Sequence, residues 1–164
     1  IVVHNDTSFQ NMPYDINLPS GFTFFIIYYQ ANINSGGNQL AARFNDTTGT
    51  YVQVIWTRGS YTAYNDSSGS NNMLLSAWKG DSHFPTGYNL KVAGELFLPP
   101  KRTVYNKVHC LANSHNYFTN GTQVIVQNMC MHNSTTSDVT KITFLTEGQG
   151  NDKGTIKVQI WGVK

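Results

Sequence analysis

Between Gly21 and Ala31 the chain reads Gly-Phe-Thr-Phe-Phe-Ile-Ile-Tyr-Tyr-Gln-Ala, its densest apolar run, and no other feature limits the possible folds as tightly. The run is too short to cross a bilayer as a helix, and its aromatic and β-branched content favours a strand. Alternation places Phe22, Phe24, Ile26 and Tyr28 on one face and Thr23, Phe25, Ile27 and Tyr29 on the other. Neither face is polar. A strand apolar on both sides requires two partners: the domain core on one side, and a second layer or another subunit on the other.

The remainder of the chain also reads as strands. Turn-rich segments recur every eight to twelve residues or so, built from Gly, Asn, Asp and Pro, and no stretch carries a helical repeat. Expected strands are Ile1–His4, Gln39–Phe44 and Tyr51–Thr57 as a hairpin, Ser60–Tyr64, Met73–Lys79, Tyr88–Leu98, Thr103–Ala112, Gln123–Met131, Thr140–Thr146 and Thr155–Lys164. Asn5–Ser20 reads as a polar approach broken by Pro13 and Pro19. Trp56, sharing a face with Val52 and Val54, is expected in the core, and Gly94 suggests a bulge or bend within its strand. On the last strand Ile156, Val158 and Ile160 point one way and Lys157, Gln159 and Trp161 the other. The expected fold is all-β, an antiparallel β-sandwich or jelly-roll-like barrel of about ten strands. At 164 residues a single domain spanning 1–164 is expected, with a weak division at residues 80–87 the one candidate boundary.

Composition narrows the function classes. Only 12% of residues are charged and the net charge is +2, with Lys101-Arg102 the one adjacent basic pair. No basic stripe exists for a nucleic-acid backbone and no polybasic anchor for a membrane, so neither nucleic-acid binding nor membrane insertion is expected. Abundant Asn, Ser, Thr, Gly and Tyr match β-rich extracellular or virion-surface proteins. The chain begins at Ile1 rather than Met, as a processed protein or an excised domain would.

Catalytic signatures are sparse. There is no nucleophile elbow, phosphate-binding loop or dinucleotide fingerprint. Most acids fall in expected turns, which explains them without catalysis, and Glu95 alone occupies a clear strand. His4, His83, His109, His115 and His132 share no recognised ligand spacing, so no metal or other cofactor is expected. The reading is therefore non-enzymatic. Cys110 and Cys130 have the same inward parity on strands that flank the segment Asn113–Gly121. Antiparallel pairing of those strands leaves two states open, a disulfide or a pair of buried free thiols. Acceptor triplets for N-glycosylation begin at Asn5, Asn45, Asn65, Asn120 and Asn133 and indicate loops.

Sugar recognition needs an aromatic face beside amides, carboxylates or Arg, held on a rigid scaffold. Three local sets meet that need: Arg58, Tyr61, Tyr64, Asn65 and Asp66; Trp78, Asp81 and His83; and His115, Asn116 and Tyr117 in what reads as a contact loop, 113–121. Trp161, facing opposite the inward Ile156, Val158 and Ile160, either packs in a second layer or serves a subunit interface.

The order Leu18-Pro-Ser-Gly-Phe22, Tyr51-Val-Gln-Val-Ile-Trp-Thr-Arg58 and Met73-Leu-Leu-Ser-Ala-Trp78 resembles the C-terminal parts of bacteriophage tail-fibre and receptor-binding proteins. Phe97-Leu-Pro-Pro-Lys-Arg-Thr103 and the terminal Ile160-Trp-Gly-Val-Lys164 are similar to the β-sandwich heads that close such fibres. The resemblance implies a homotrimeric head on a virion, at the tip of a tail fibre or spike, that binds host cell-surface glycan through loops or clefts between subunits. A monomeric bacterial adhesin or secreted lectin, extracellular or on the cell surface, is the alternative, and a glycan-cleaving enzyme ranks third.

Overall fold

A computed structural model describes residues 1–34, 38–45, 51–57, 60–64, 72–76, 88–101, 107–132, 138–147 and 154–164, of which 52, 57, 60–64 and 132 are described by their backbone alone. Among these residues there is no helix. The strands are β1 (Val2–Asn5), β2 (Gln10–Asn11), β3 (Tyr14–Asn17), β4 (Phe24–Ile33), β5 (Gln39–Phe44), β6 (Tyr51–Thr57), β7 (Ser60–Tyr64), β8 (Met73–Leu74), β9 (Leu90–Leu98), β10 (Val108–Phe118), β11 (Gln123–His132), β12 (Lys141–Glu147) and β13 (Gly154–Val163). They form two sheets, antiparallel throughout. The large sheet runs β1-β13-β4-β9-β10-β11-β6-β7, with β2 also beside β13, and the small one runs β3-β12-β5-β8. The expected all-β, antiparallel sandwich is the fold observed.

The strand that dominates the sequence is also central in space, with β13 on one side and β9 on the other. Phe25, Ile27, Tyr29, Ala31 and Ile33 enter the core, joined by Leu90, Val92, Leu96 and Leu98 of β9 and by Ile156, Val158 and Ile160 of β13. Each large apolar side chain removed from water there contributes about 1.5–3 kcal/mol. Rings from the two sheets meet in the middle: Tyr29 with Phe144 at 6.3 Å and Tyr51 with Phe44 at 5.8 Å between centroids.

Polar groups also tie the sheets together. Tyr51 Oη accepts from the Phe44 amide at 3.0 Å, and Tyr29 Oη donates to the Leu75 carbonyl at 3.3 Å. Gln53 of β6 accepts from the Leu74 amide at 2.9 Å and donates to the Asn72 carbonyl at 2.9 Å. Asn128 of β11 donates to Gln53 Oε1 at 2.7 Å and to the Leu74 carbonyl at 2.6 Å. Backbone groups around the short strand β8 are thus satisfied by side chains of the facing sheet, as burial demands.

Several expectations need correction. β5 and β6 do not form a hairpin: β5 pairs with β12 and β8, β6 with β11 and β7. The chain crosses between sheets there, so Tyr51, Gln53 and Ile55 turn inward and Trp56 stands 40% exposed on the outer face. Phe22 precedes β4 and escapes its alternation, lying against Gly162, where an added Cβ would fall 2.4 Å from the ring. The expected bulge at Gly94 is absent, since the register runs unbroken through it on both sides. The segment 113–121 is mostly strand, β10 continuing to Phe118, and only its last residues turn. The polar approach 5–20 contains β2 and β3, too short to show alternation.

Candidate functional site

The small sheet packs on the inner face of the large sheet, and among the described residues the outer face is the surface left on display. Register fixes which side chains become neighbours on it. Val2, Trp161, Ile26, Phe97, Leu111, Met129 and Val54 are successive cross-strand partners and make one apolar row over seven strands. At about 4.8 Å between strands the row is about 30 Å long. Trp161, Phe97 and Met129 are 40%, 41% and 49% exposed. A basin of about 570 Å³ lies along its β6 end, lined by Phe97, Pro99, Leu111, Met129 and Met131.

Two residues further along each strand the character changes. Gln159, Tyr28, Glu95, Asn113, Gln127 and Trp56 form the next row. Its amides are linked, Gln127 Nε2 donating to Asn113 Oδ1 at 3.0 Å and Asn113 Nδ2 to Glu95 Oε1 at 3.2 Å. Beyond it come Lys157, Gln30, Ala93, His115 and Ile125, then Thr155, Asn32, Lys91, Tyr117 and Gln123.

Three depressions meet in this polar region, and Ala93 lines all of them. The first, about 450 Å³, lies between Tyr28, Gln30, Lys157 and Gln159. The second, about 340 Å³, lies between Tyr28, Glu95, Asn113 and His115. The third, about 250 Å³, is bounded by Phe9 from the β1–β2 connection and by His115 and Tyr117 on β10. Together they make a groove. Its floor is low because exposed Ala93 and the adjoining Gly94 backbone fill little space between strands that carry long side chains. His115 Nε2 donates to Gln123 Oε1 at 3.1 Å, which fixes the imidazole plane on the rim.

A second polar cluster anchors the first strand beside the groove. Asp6 Oδ1 accepts from Tyr14 Oη at 2.8 Å and lies 3.0 Å from His4 Nε2, while Oδ2 accepts from the Val158 amide at 2.9 Å. Burial, then the hydrogen bond to Asp6 and its charge, pushes the Tyr14 hydroxyl up to about 12. Because Asp6 is buried with both oxygens engaged, Glu95 is the carboxylate that the described residues display in the groove.

Of the residues singled out in the sequence, His115 and Tyr117 stand together on the groove rim. Asn116, between them, points inward and is fully buried, donating to Ser114 Oγ at 2.9 Å. Trp161 lies in the apolar row, opposite Val2 and Ile26. Tyr61 and Tyr64 belong to β7, opposite Trp56 and Gln53 in the backbone register. Arg58, Asn65, Asp66, Trp78, Asp81 and His83, and the division at 80–87, lie outside the described residues. Sequence reasoning missed Phe9, Tyr28, Gln30, Asn32, Lys91, Lys157 and Gln159. Phe9 lies on a connection with no alternation to read; the outward parity of the others was readable, but the strand order that gathers them was not.

Cys110 and Cys130 stand directly opposite each other in the β10–β11 register, inward and buried. Both are free thiols. Cys110 Sγ lies 3.4 Å from Met73 Sδ, and burial, with Cys110 beside it, raises the Cys130 thiol well above its ordinary range. Among the described residues no group of three or more His, Cys, Asp or Glu is placed to hold a metal ion. Comparison with protein-family models, curated proteins and solved structures finds no match to this chain.

Proposed function

We propose that this chain is a non-enzymatic receptor-binding head of a phage or viral fibre, attaching a virion to cell-surface saccharide through the outer face of its large sheet. The observation that carries the reading is the groove around Ala93. Aromatic rims at Tyr28, Phe9 and Tyr117 suit the C–H faces of sugar rings, and Gln30, Asn32, Asn113 and Gln159 offer planar amides to hydroxyls. All of these but Phe9 are borne on strands, which hold them in fixed relation. Among the described residues the groove displays one carboxylate, Glu95, which favours binding over hydrolysis, a reaction that uses a pair about 5–9.5 Å apart.

The apolar row supports assembly. Among the described residues only the inner face of β4 is covered, leaving partly exposed Ile26 with Phe97 and Trp161 for a second copy, consistent with the homotrimer expected of fibre heads. Light scattering should give a trimer, and Met129→Asp, at an exposed position, should reduce it to monomer with an unchanged far-UV spectrum. A wild-type monomer would move the adhesin or secreted-lectin reading ahead.

The direct test is binding of labelled head to host cells and to their isolated polysaccharide. Ala93→Phe fills the junction of the three depressions at an outward-facing site and should abolish binding without lowering stability appreciably. Failure of the wild-type head to bind, where the whole fibre succeeds, or full binding by Ala93→Phe, would overturn the assignment.

A further inference from the structure

We infer that the depression bounded by Phe9 takes an acidic sugar, a ring bearing a uronate-type carboxylate, an assignment that rests on the saccharide reading above. Phe9 reaches it from the β13 side and Tyr117 from β10, so the two aromatics flank the floor formed by β4 and β9. Lys91 rises from that floor, directly opposite Asn32 on one strand and Tyr117 on the other. Among the described residues no acid lines the depression. Glu95 is four residues from Lys91 on the same strand, about 13 Å away, and receives the Asn113 amide instead.

Lys91 has no ion pair among the described residues, and Lys157 stands one row away, opposite Gln30. The pocket therefore offers a ring-sized space, stacking faces, amides for hydroxyls and an uncompensated ammonium. A neutral sugar would offer that ammonium only uncharged hydroxyl acceptors, whereas a ring carboxylate would give it a stronger charge-assisted bond while the ring stacks on Phe9 or Tyr117. The partly enclosed setting strengthens the attraction relative to open water, and added salt weakens it.

The test uses polygalacturonate, hyaluronan and polysialic acid beside their carboxyl-reduced forms, with dextran and mannan as neutral polymers, and binding read by biolayer interferometry. The expected result is binding to at least one acidic polymer that disappears on carboxyl reduction. Lys91→Met keeps the aliphatic stem and removes the charge, and should weaken that binding roughly tenfold. Lys91→Arg should retain most of it. Equal binding of a polymer and its reduced form, binding to neutral polymers alone, or insensitivity to Lys91→Met would overturn the acidic-sugar inference and leave the saccharide reading standing. Binding to none of the polymers would overturn the acidic-sugar inference, and failure to bind the isolated host polysaccharide as well would overturn the saccharide reading with it.

Discussion

Tyr29 lies across Gly94: the two are direct partners in the β4–β9 register, and a Cβ on residue 94 would fall 2.6 Å from the tyrosine Oη and 2.7 Å from Cζ. The same atom would come within 2.4 Å of the Asn113 carbonyl oxygen. Because one obstacle is backbone, the tyrosine cannot relieve the clash by moving alone. Gly94→Ala should destabilise the protein by about 1–3 kcal/mol or more, read as a lowered urea midpoint. Wild-type stability in that variant would show that the ring does not occupy this position.

The amide pair Gln53–Asn128 makes a second prediction. Gln53→Leu removes the acceptor of the Leu74 amide and the donor to the Asn72 carbonyl. Each buried group left unmet costs about 1–3 kcal/mol. The expected loss is about 3 kcal/mol, or a shift of about 1–2 M in urea midpoint. A shift below about 0.3 M would mean that these groups find water or other partners.

Tyr14 gives a pH dependence of definite sign. Its folded-state value of about 12 lies above the ordinary 10.0, so folding favours the neutral hydroxyl. The contribution is complete below pH 10 and is lost as pH rises through about 12. Tyr14→Phe should therefore be less stable than wild type at neutral pH, with the difference shrinking in that alkaline window. Absorbance at the tyrosinate band, compared between the two proteins, would locate the titration, and ionisation of Tyr14 near its ordinary value would contradict the Asp6 hydrogen bond.

The thiols supply a fourth. Burial keeps Cys130 protonated, and Cys110 is equally enclosed. Ellman's reagent should find no reactive thiol in the folded protein and both in denaturant without a reductant. Absence of thiols in denaturant would instead identify the disulfide that the opposed register allows.

What could be read from the sequence was parity. The inward sets on β9 and β13, the burial of Ile142 and Phe144, and the outward direction of Trp161 all follow from period-two alternation. Alternation says nothing about which strands adjoin, so it could not reveal that Lys91, Gln30 and Lys157 share one surface. It also fails where a strand is apolar on both sides, as with Trp56, because either face then resembles a core. Gln53 illustrates the converse: a polar residue pointed inward because it satisfies backbone on the other sheet, a partnership 21 residues distant in the Leu74 bond. His115 and Tyr117 were found for their chemistry but placed on a loop, since Asn and Ser around them look like turn residues while being buried strand positions.

The central strand also governs the timing of folding. β4 hydrogen-bonds to β13 along its whole length, Phe24 opposite Val163 and Ile33 opposite Gly154, so one of its edges stays bare until β13 has left the ribosome. Pairing between such distant segments is slow because the intervening loop must close first. During that wait the run Phe24–Tyr29, apolar on both sides, is open to other nascent chains. Fragments that end before residue 154 should accordingly aggregate rather than fold, and expression of the intact chain should improve at low temperature or with chaperones that shield exposed strands.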